Sequence, residues 1–436
     1  MTANKLKAVR GMHDILPVNS GNWARMEAVI ARVFSSYAYR EIRMPIVEPT
    51  ALFSRSIGEV TDIIEKEMYT FEDRNGESMS LRPEGTAGCV RACIEHSLLD
   101  TPRKLWYAGP MFRYERPQKG RQRQFHQVGA EAFGWQGAEI EAEMLLLNQR
   151  LWCELQLENG IRLQLNNIGS SESRKKFRAA LLDYLEKYRD DLDADSQRRL
   201  QSNPLRILDS KDRDTQKILH DAPLLTDFVD DESRQKHDTL LGLLQDSGVS
   251  VEQNSRLVRG LDYYNDTVFE WVSDDLGAQA TVCGGGRYDG LVEQLGGKPV
   301  PAVGFAMGLE RLYMLLEGQG FACFHEDDAP DAYLLVADSA YQRYALDLAE
   351  RLRAALPGFA IMQHLAAGSL KSQFKRADKS GARFALIVGE QEVADNSISV
   401  KDLQSGEQSS VPLGDGVAAL VALLSAGTQA SDQRQR

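Results

Sequence analysis

Residues 105–135 read LWYAGPMFRYERPQKGRQRQFHQVGAEAFGW, and this stretch decides the fold class. Two apolar-rich runs, at 105–115 and 124–135, flank the polar segment RPQKGRQR, which contains a proline, a glycine and four cationic residues. Apolar runs joined by turn-forming residues are typical of an antiparallel hairpin. The stretch therefore predicts a hairpin with a long cationic loop.

The sequence on either side of this hairpin predicts further helices and strands. From Trp23 to Tyr37, apolar residues recur every three or four positions, which predicts a helix with one buried face. Residues 42–47, IRMPIV, alternate in polarity and contain a proline without an N–H to donate, which predicts an edge strand. TVFEWV at 267–272 predicts another strand, and VGFAMGLERLYMLL at 303–316 predicts a short strand that turns into a helix.

Two changes of composition divide the chain. Residues 171–252 are rich in charged side chains with helical periodicity, so we expect a helical insertion within a larger domain at 1–325. After Asp331, strands alternate with helices, which predicts a compact α/β domain at 331–426. Residues 427–436 are polar and aperiodic and predict a flexible tail. The expected fold class is α+β, with a mainly antiparallel sheet, flanking helices, the insertion and the C-terminal α/β domain.

The composition limits the partners and the location of the protein. Its 436 residues are 43% hydrophobic and carry a net charge of −12, which argues against nonspecific coating of nucleic acid, because such binding depends on clustered cations. Cations do cluster locally, at 113–123 and at 371–383, where a solvated charged face is the alternative interpretation. Five cysteines without a Cys-x-x-Cys pair, and no long apolar run, indicate a reducing cytoplasm and no membrane partner.

Two common ligand-binding signatures are missing from the sequence. It contains no GxxxxGK[ST] loop, so a bound nucleotide would have to be held by cationic side chains. Its seven histidines show no metal-ligand spacing, so we expect no metal held by the protein alone. Mg²⁺ that arrives with a polyphosphate needs only one or two carboxylates and stays compatible with the sequence.

The hairpin carries polar side chains that suit an anion beside an amine or an imidazole. Arg113 and Glu115 lie on one face by period-two geometry, and so do Gln127 and Glu131. Ordinary cross-strand ion pairs on a solvated face are the alternative. For CGGGRYDG at 283–290, the alternatives are a tight turn that needs small residues and a backbone pressed close to a ligand.

Several longer strings resemble the class II aminoacyl-tRNA synthetases over essentially the whole chain. MFRYERPQKGRQRQFHQVGAE at 111–131 is similar to the second motif of that class, VGFAMGLERL at 303–312 is similar to the third, and Pro45 stands where the first motif has its proline. LVRGLDYYNDTVFEW from Leu257 and TVCGGGRYDGLV from Thr281 are similar to two histidine-specific signatures. Within the class, the chain therefore resembles the histidyl-tRNA synthetases.

LRPEGTAG at 81–88 also matches that family, and the resemblance implies an enzyme that activates L-histidine with ATP and then transfers it to the 3′ end of the histidine tRNA. It implies a class II catalytic domain at 1–325 and an anticodon-binding domain at 331–426. It also implies a homodimer with the first motif at the interface, and Mg²⁺ carried with ATP.

The resemblance also implies three groups of site residues. Histidine would be bound by Glu84, Gly85, Thr86, Arg113, Gln127, Glu131, Arg259, Tyr263, Tyr264 and Tyr288. ATP would be bound by Arg113, Glu115, Arg121, Phe125 and Arg311, and tRNA by Lys119, Arg123, Lys375 and Arg376. Arg113 and Arg259 would flank the α-phosphate as the catalytic residues.

Two other functions compete with this interpretation. A regulatory paralogue of ATP phosphoribosyltransferase shares the catalytic fold and senses histidine without catalysis, but it lacks the anticodon-binding domain and tends to lose the catalytic arginines. Here Arg113, Arg259 and Arg311 are all present. The prolyl or threonyl enzymes of class II would not account for RGLDYY at 259–264.

Overall fold

The computed structural model describes residues 6–57, 61, 63–202, 204–210, 212–259, 261, 263–321, 329–365, 368–414 and 417–424. The chain divides into two compact units, Met1–His325 and Glu326–Arg436. The expected domain end at residue 325, the expected end of the α/β domain at 426 and the expected tail at 427–436 lie outside the described residues. Among the described residues, no helix has the length and apolar composition needed to cross a membrane.

The first unit combines helices with a large and a small sheet. Its described helices are α1 (Pro17–Ser36), α2 (Thr50–Ile57), α3 (Thr86–Glu95), α4 (Glu139–Glu154), α5 (Ser171–Leu185), α6 (Ala194–Ser202), α7 (Arg213–His220), α8 (Asp231–Asp246), α9 (Leu291–Gln294) and α10 (Leu309–Gln319). Its described strands are β1 (Arg40–Glu41), β2 (Val47–Pro49), β3 (Tyr69–Glu72), β4 (Ser78–Leu81), β5 (Arg103–Phe112), β6 (Gln124–Phe133), β7 (Arg162–Asn167), β8 (Val251–Gln253), β9 (Asn265–Val272), β10 (Thr281–Arg287) and β11 (Ala302–Gly308).

The large sheet is mainly antiparallel, as the sequence predicts. Its strand order is β1-β5-β6-β11-β10-β9-β7-β8, with parallel pairs only at its two edges among the described strands. The predicted hairpin is β5–β6, in which Gly109 pairs with Gln127 and Leu105 with Glu131. The predicted helix at 23–37 is α1, and its apolar face packs into the main core together with α4 and α10. Within that core Phe34 is fully buried, so its truncation to alanine would cost about 3–5 kcal/mol.

The edge strand predicted at 42–47 is wrong. The chain leaves the large sheet at Glu41 and enters a three-stranded sheet, β2-β4-β3, at Val47. The connecting residues are tied to Arg82, whose Nη1 donates to the Met44 carbonyl at 3.1 Å and whose main-chain N donates to the Ile46 carbonyl at 2.9 Å. A segment with a proline cannot donate along a full ladder, so it connects two sheets instead of extending one.

The glycine run at 284–286 is not a tight turn, and Gly284 lines the cavity described below. The run belongs to β10, a central strand between β9 and β11. A side chain at Gly285 would place its Cβ 2.1 Å from the carbonyl oxygen of Gly304 on β11. Glycine is therefore required here by the close approach of two strand backbones.

The predicted helical insertion is observed as α5 to α8, which end at Asp246, before β8 returns the chain to the large sheet. Asp193 organises its centre, because its carboxylate accepts hydrogen bonds from the main-chain N of Ser196 and from the hydroxyls of Ser196, Ser210 and Thr215. A helix N-terminus leaves N–H groups unpaired, and this aspartate accepts hydrogen bonds from two of them at the start of α6, those of Asp195 and Ser196.

The second unit has the predicted alternation of strands and helices. Its described elements are β12 (Ala332–Val336), α11 (Gln342–Ala355), β13 (Ile361–Gln363), α12 (Leu370–Lys379), β14 (Phe384–Val388), α13 (Glu390–Ala394), β15 (Ser397–Asp402) and β16 (Gln408–Pro412). The strand order is β13-β12-β14-β15-β16, with the first three strands parallel. Alternate residues of β12 belong to two apolar clusters, one shared with α11 and the other with α12, so these helices cover opposite faces of the sheet.

Candidate active site

A cavity of about 300 Å³ lies against the large sheet of the first unit. Its cationic lining residues are Arg113, Arg121, Arg259 and Arg311. Its carboxylate lining residues are Glu84, Glu115, Glu270 and Glu310, and its aromatic ones are Phe125, Tyr263 and Tyr264. Charged groups of both signs around one aromatic-lined space suit a ligand that is itself charged and partly planar.

One end of the cavity is built on the N-terminus of α3. The carboxylate of Glu84 accepts hydrogen bonds from the main-chain N of Thr86 at 2.7 Å and of Ala87 at 2.9 Å. Burial raises the pKa of Glu84, although these hydrogen bonds and Arg113 oppose the shift. Gly85 lies against Tyr107, since a Cβ at this position would be 2.1 Å from the tyrosine ring. Because glycine has no side chain, the start of α3 can lie directly against the ring of Tyr107.

Gln127 on β6 brings an unsatisfied acceptor into the same region. Its Oε1 is buried and has no hydrogen-bond partner among the described residues. A buried amide oxygen without a donor is costly, so it marks a position where a ligand N–H group would be stabilised. Together with Glu84 and Thr86, Gln127 forms a polar corner of the cavity.

Glu131 lies on β6, beneath the cavity lining, and is fully buried. Its Oε1 accepts hydrogen bonds from Thr86 Oγ1 at 2.8 Å and from the Tyr107 hydroxyl at 3.0 Å, and its Oε2 accepts one from the Tyr288 hydroxyl. Burial raises the pKa of Glu131 to about 8, although the three hydroxyls oppose the shift. Burial therefore favours the protonated form of the Glu131 carboxyl group.

Three tyrosines form an aromatic wall next to this carboxyl group. The rings of Tyr263 and Tyr264 are 4.7 Å apart, and that of Tyr288 is 5.6 Å from Tyr263. Tyr263 and Tyr264 line the cavity, whereas Tyr288 stands behind them on Glu131. Such a wall offers both apolar contact and hydroxyl groups to a flat heterocycle.

Two of the cavity's cations, Arg113 and Arg311, are held by main-chain oxygens. Arg113 follows the end of β5, where its Nε donates to the Pro83 carbonyl at 2.9 Å and its guanidinium lies 5.3 Å from the centre of the Phe125 ring. Arg311 on α10 donates from Nε to the Gly120 carbonyl at 3.1 Å and from Nη1 to the Thr281 carbonyl at 2.6 Å. Burial lowers the pKa of both arginines, which nevertheless stay cationic at neutral pH.

Arg259 reaches the cavity from the segment before β9. Its guanidinium forms an ion pair with Glu270 on β9 and lies over Gly284 on β10. Burial lowers the pKa of Arg259, but Glu270 and the two cavity tyrosines outweigh it, so the net shift is upward. The cation is therefore maintained in a site with little solvent.

The cationic loop of the hairpin folds back on itself. Gln118 and Arg121 exchange main-chain hydrogen bonds of 3.0 Å around Lys119 and Gly120. Arg121 forms an ion pair with Glu115 at the cavity edge. Lys119 is exposed, and Arg123 places its guanidinium 3.7 Å from the centre of the Tyr114 ring, outside the cavity lining.

Glu310 on α10 connects this helix to strand β6 of the hairpin. Its Oε1 accepts a hydrogen bond from the main-chain N of His126 at 2.9 Å and lies 3.0 Å from Nδ1 of the same residue. Glu310 and Arg311 are adjacent, and so are His126 and Phe125. This contact therefore fixes the strand that carries Phe125 against the helix that carries Arg311.

Most of the site residues suggested by the sequence converge in one place. The cavity lining contains Glu84, Thr86, Arg113, Glu115, Arg121, Phe125, Gln127, Arg259, Tyr263, Tyr264 and Arg311. Gly85, Glu131 and Tyr288 support this lining from behind, and Lys119 and Arg123 lie on the adjacent loop. Lys375 and Arg376 are exposed on α12 of the second unit.

Glu270 and Thr281 are among the lining residues that the sequence did not predict, and so is Glu310. Glu270 gives a signal in the sequence, since it is the acidic residue inside the apolar run TVFEWV, and a carboxylate in a largely buried strand needs a cationic partner. Thr281 gives no such signal.

Comparisons with known proteins assign a family to this fold and site. The family model described as histidyl-tRNA synthetase matches residues 11–312, and the model described as anticodon binding domain matches residues 331–423. The solved histidyl-tRNA synthetase of S. aureus is 36% identical, with a TM-score of 0.79, and the match covers 96% of this chain and 100% of that one.

Two more distant structures share the fold. A histidyl-tRNA synthetase from Nostoc is 22% identical with a TM-score of 0.67, and the match covers 97% of this chain and 100% of that one. A Bacillus halodurans protein, described as an ATP phosphoribosyltransferase regulatory subunit or histidyl-tRNA synthetase, is 19% identical with a TM-score of 0.61; here the match covers 88% of this chain and 97% of that one.

Proposed function

Because the chain belongs to the histidyl-tRNA synthetase family and is a histidine–tRNA ligase, we propose that the cavity of the first unit is where histidine and ATP meet. The observation that carries this assignment is the convergence of four arginines and an aromatic wall around one space of about 300 Å³. That arrangement provides for a carboxylate, a polyphosphate and an imidazole together.

The polar corner would bind the α-amino group of histidine. An ammonium group donates three hydrogen bonds and accepts none, so it requires oxygen acceptors. Gln127 Oε1 is such an acceptor and is otherwise unpaired, while Glu84 and Thr86 add a carboxylate and a hydroxyl beside it. The amino acid would therefore lie with its backbone at the start of α3.

The imidazole would pack on Tyr263 and Tyr264. Behind them, the Glu131 carboxyl group accepts hydrogen bonds from the hydroxyls of Tyr288 and Thr86. This network determines which hydrogen-bonding groups the aromatic wall presents to the imidazole. A site that binds its ligand through hydrogen bonds discriminates against an apolar isostere by about 10⁴–10⁵-fold, because the buried polar groups of the site would be left unpaired.

Adenylate formation needs no general base, since the histidine carboxylate is already ionised at neutral pH. One carboxylate oxygen forms a bond to the α-phosphorus of ATP, while the bond from that phosphorus to the bridging oxygen breaks and releases pyrophosphate. Negative charge is spread over phosphate oxygens during this exchange. Arg113 and Arg259 would stabilise that charge, and their placement on fixed partners reduces the cost of reorganising them.

The remainder of ATP would lie toward the hairpin loop and α10. Phe125 would stack on the adenine, and Arg121 and Arg311 would contact the nucleotide and its outer phosphates, with Glu115 orienting Arg121. Guanidinium groups are suited to phosphate because they donate two parallel hydrogen bonds.

The carboxylates of the cavity fit Mg²⁺ that is carried on ATP better than a metal held by the protein. Glu84 is bound to main-chain N–H groups, and Glu115 and Glu270 are paired with arginines. Among the described residues, no group of three acidic, histidine or cysteine side chains could hold a metal. The ion would neutralise phosphate charge.

Transfer to tRNA follows at the same cavity. A terminal ribose hydroxyl of the tRNA attacks the carbonyl of histidyl-adenylate and releases AMP. Lys119 and Arg123 lie on the loop next to the cavity and would contact the acceptor end. Lys375 and Arg376, exposed in the unit that matches the anticodon-binding family, would contact the tRNA elsewhere.

We assign the catalytic domain to 1–325, with the insertion at 171–252, and the anticodon-binding domain to 331–426.

An apolar patch on and beside the small sheet would form a homodimer interface. We define it as Ile46, Val47, Phe71 and Tyr114, which are 41%, 37%, 46% and 53% exposed. Val47 and Phe71 lie on the small sheet, and the Tyr114 ring is 5.7 Å from that of Tyr69 on the same sheet. Exposed apolar side chains grouped on one element are typical of an interaction site. The patch lies next to Pro45, where the first motif of the class stands. We also propose a cytoplasmic location, where tRNA is charged for protein synthesis.

A noncatalytic histidine sensor is the competing function, and the site favours the ligase. Arg113, Arg259 and Arg311 all line the cavity, and the anticodon-binding family matches 331–423. Pyrophosphate exchange into ATP, measured with each of the twenty amino acids, distinguishes the two functions. We expect exchange with histidine alone. Histidine binding without exchange would assign the chain to the sensors and overturn the proposed site.

A further inference from the structure

The start of β10 contains an irregularity that faces the cavity. Thr281 pairs with Val272 on β9, but Cys283 pairs with Trp271, so two residues on β10 correspond to one step on β9. Such a bulge changes the direction of the chain locally and is frequent beside active sites. Here it allows both the hydroxyl and the carbonyl of Thr281 to contact cavity side chains.

The hydroxyl of Thr281 acts on Arg259 through Glu270. It donates to Oε2 of Glu270 at 2.8 Å, while Oε1 of the same carboxylate is paired with Nη1 of Arg259. A carboxylate bound at one oxygen has less freedom to rotate. The position of the Arg259 guanidinium therefore depends on the hydrogen bond between Thr281 and Glu270.

The carbonyl of Thr281 acts on Arg311 directly. It accepts a hydrogen bond from Nη1 of Arg311 at 2.6 Å, and the Nε of the same guanidinium donates to Gly120 at 3.1 Å. Arg311 is thus held between β10 and the cationic loop. Thr281 therefore contacts both Arg311 itself and the carboxylate that is paired with Arg259.

We propose that Thr281 is a positioning residue for adenylate formation: its hydroxyl orients Arg259 through Glu270, and its carbonyl orients Arg311. The proposal rests on the proposed function, which places Arg259 at the α-phosphate and Arg311 on the rest of ATP. The two hydrogen bonds can be tested separately, because replacing the side chain removes the hydroxyl and leaves the carbonyl. The hydroxyl, through Arg259, affects the chemical step, and the carbonyl, through Arg311, affects nucleotide binding.

The test compares Thr281→Val with Thr281→Ser in the full chain, by histidine-dependent pyrophosphate exchange at varied ATP and histidine. Valine has the shape of threonine without the hydroxyl, so we expect kcat to fall about tenfold, in line with loss of a hydrogen bond to a charged group. The KM for ATP and for histidine stay within about twofold, and Thr281→Ser restores kcat. Thr267→Val, at a buried threonine of β9 outside the cavity lining, is the matched control and keeps parent activity.

Three results would overturn the proposal while the parent remains active. These are an unchanged kcat in Thr281→Val, a loss confined to the KM for ATP, or an equal loss in Thr281→Ser and Thr281→Val. If Thr281→Val fails to fold, Glu270→Gln takes its place, with the same expected loss of kcat and an unchanged KM for histidine. A parent chain without histidine-dependent exchange would count against the proposed function instead.

Discussion

The hydroxyl of Tyr107 donates to Oε1 of Glu131 at 3.0 Å, in a region that solvent does not reach. Tyr107 lies on β5 and Glu131 on β6, so the contact joins the two strands of the hairpin beneath the cavity. The carboxyl group also supports Thr86 and Tyr288, which belong to other elements. The end of the cavity proposed to bind histidine therefore depends on one buried carboxyl group.

The first prediction concerns the pH dependence of stability. The folded-state pKa of Glu131 is raised from 4.5 to about 8, so its contribution to stability is fully present below the unfolded value and is lost as pH rises through the folded value. Glu131→Gln cannot ionise. We expect the stability of the parent relative to this variant to fall as pH rises from about 5 to 8, by roughly 1.4 kcal/mol per pH unit at most. Urea unfolding at several pH values measures this difference.

The control for that experiment is Glu158→Gln, at an exposed glutamate. Its stability difference from the parent should stay constant over the same pH range. A constant difference for Glu131→Gln as well would show that the carboxyl group ionises normally in the folded protein.

The second prediction concerns Arg259. Arg259→Ala removes a guanidinium assigned to the α-phosphate, so we expect histidine-dependent pyrophosphate exchange to fall by about 10²–10³-fold or more, while calorimetry still detects histidine binding. Arg256→Ala, at an exposed arginine three residues earlier, should retain exchange. Near-parent exchange in Arg259→Ala would remove this residue from the catalytic role.

The third prediction concerns the apolar patch. Phe71→Glu places a charge in the proposed homodimer interface, where an unpaired buried charge is strongly unfavourable. We expect sedimentation velocity to show a dimeric parent and a largely monomeric variant. Leu346→Glu, at a leucine of similar exposure in the second unit, should stay dimeric. A monomeric parent, or a dimeric Phe71→Glu, would refute the interface.

The fourth prediction concerns tRNA. Replacing Lys375 and Arg376 with alanine removes two exposed cations from α12, so we expect weaker aminoacylation through a raised KM for tRNA, with unchanged adenylate formation. Arg343 and Arg351 lie on α11, which covers the opposite face of the sheet, and their replacement with alanine is the matched control. Equal losses in both assays, or equal effects in both double variants, would contradict the assignment.

Much of the fold follows from local patterns in the sequence. The buried face of α1, the β5–β6 hairpin and the β11–α10 turn are each encoded within about twenty to thirty consecutive residues, whose periodicity indicates which face is buried. The segment at 42–47 fails this rule because its alternation resembles a strand, while Pro45 and the contacts of Arg82 make it a connection. Local periodicity contains no information about such a distant partner.

The sequence by itself determined the order of the elements and, through its motif strings, indicated most of the charged and aromatic residues that line the cavity. Only the tertiary structure decided their relations: that Glu131 lies behind the lining, that Glu270 pairs with Arg259, and that a bulge directs Thr281 into the cavity. The physical reason is that strand register and burial bring together residues far apart in the chain. Hydrogen bonds and ion pairs gain their strength from that shared, poorly solvated environment.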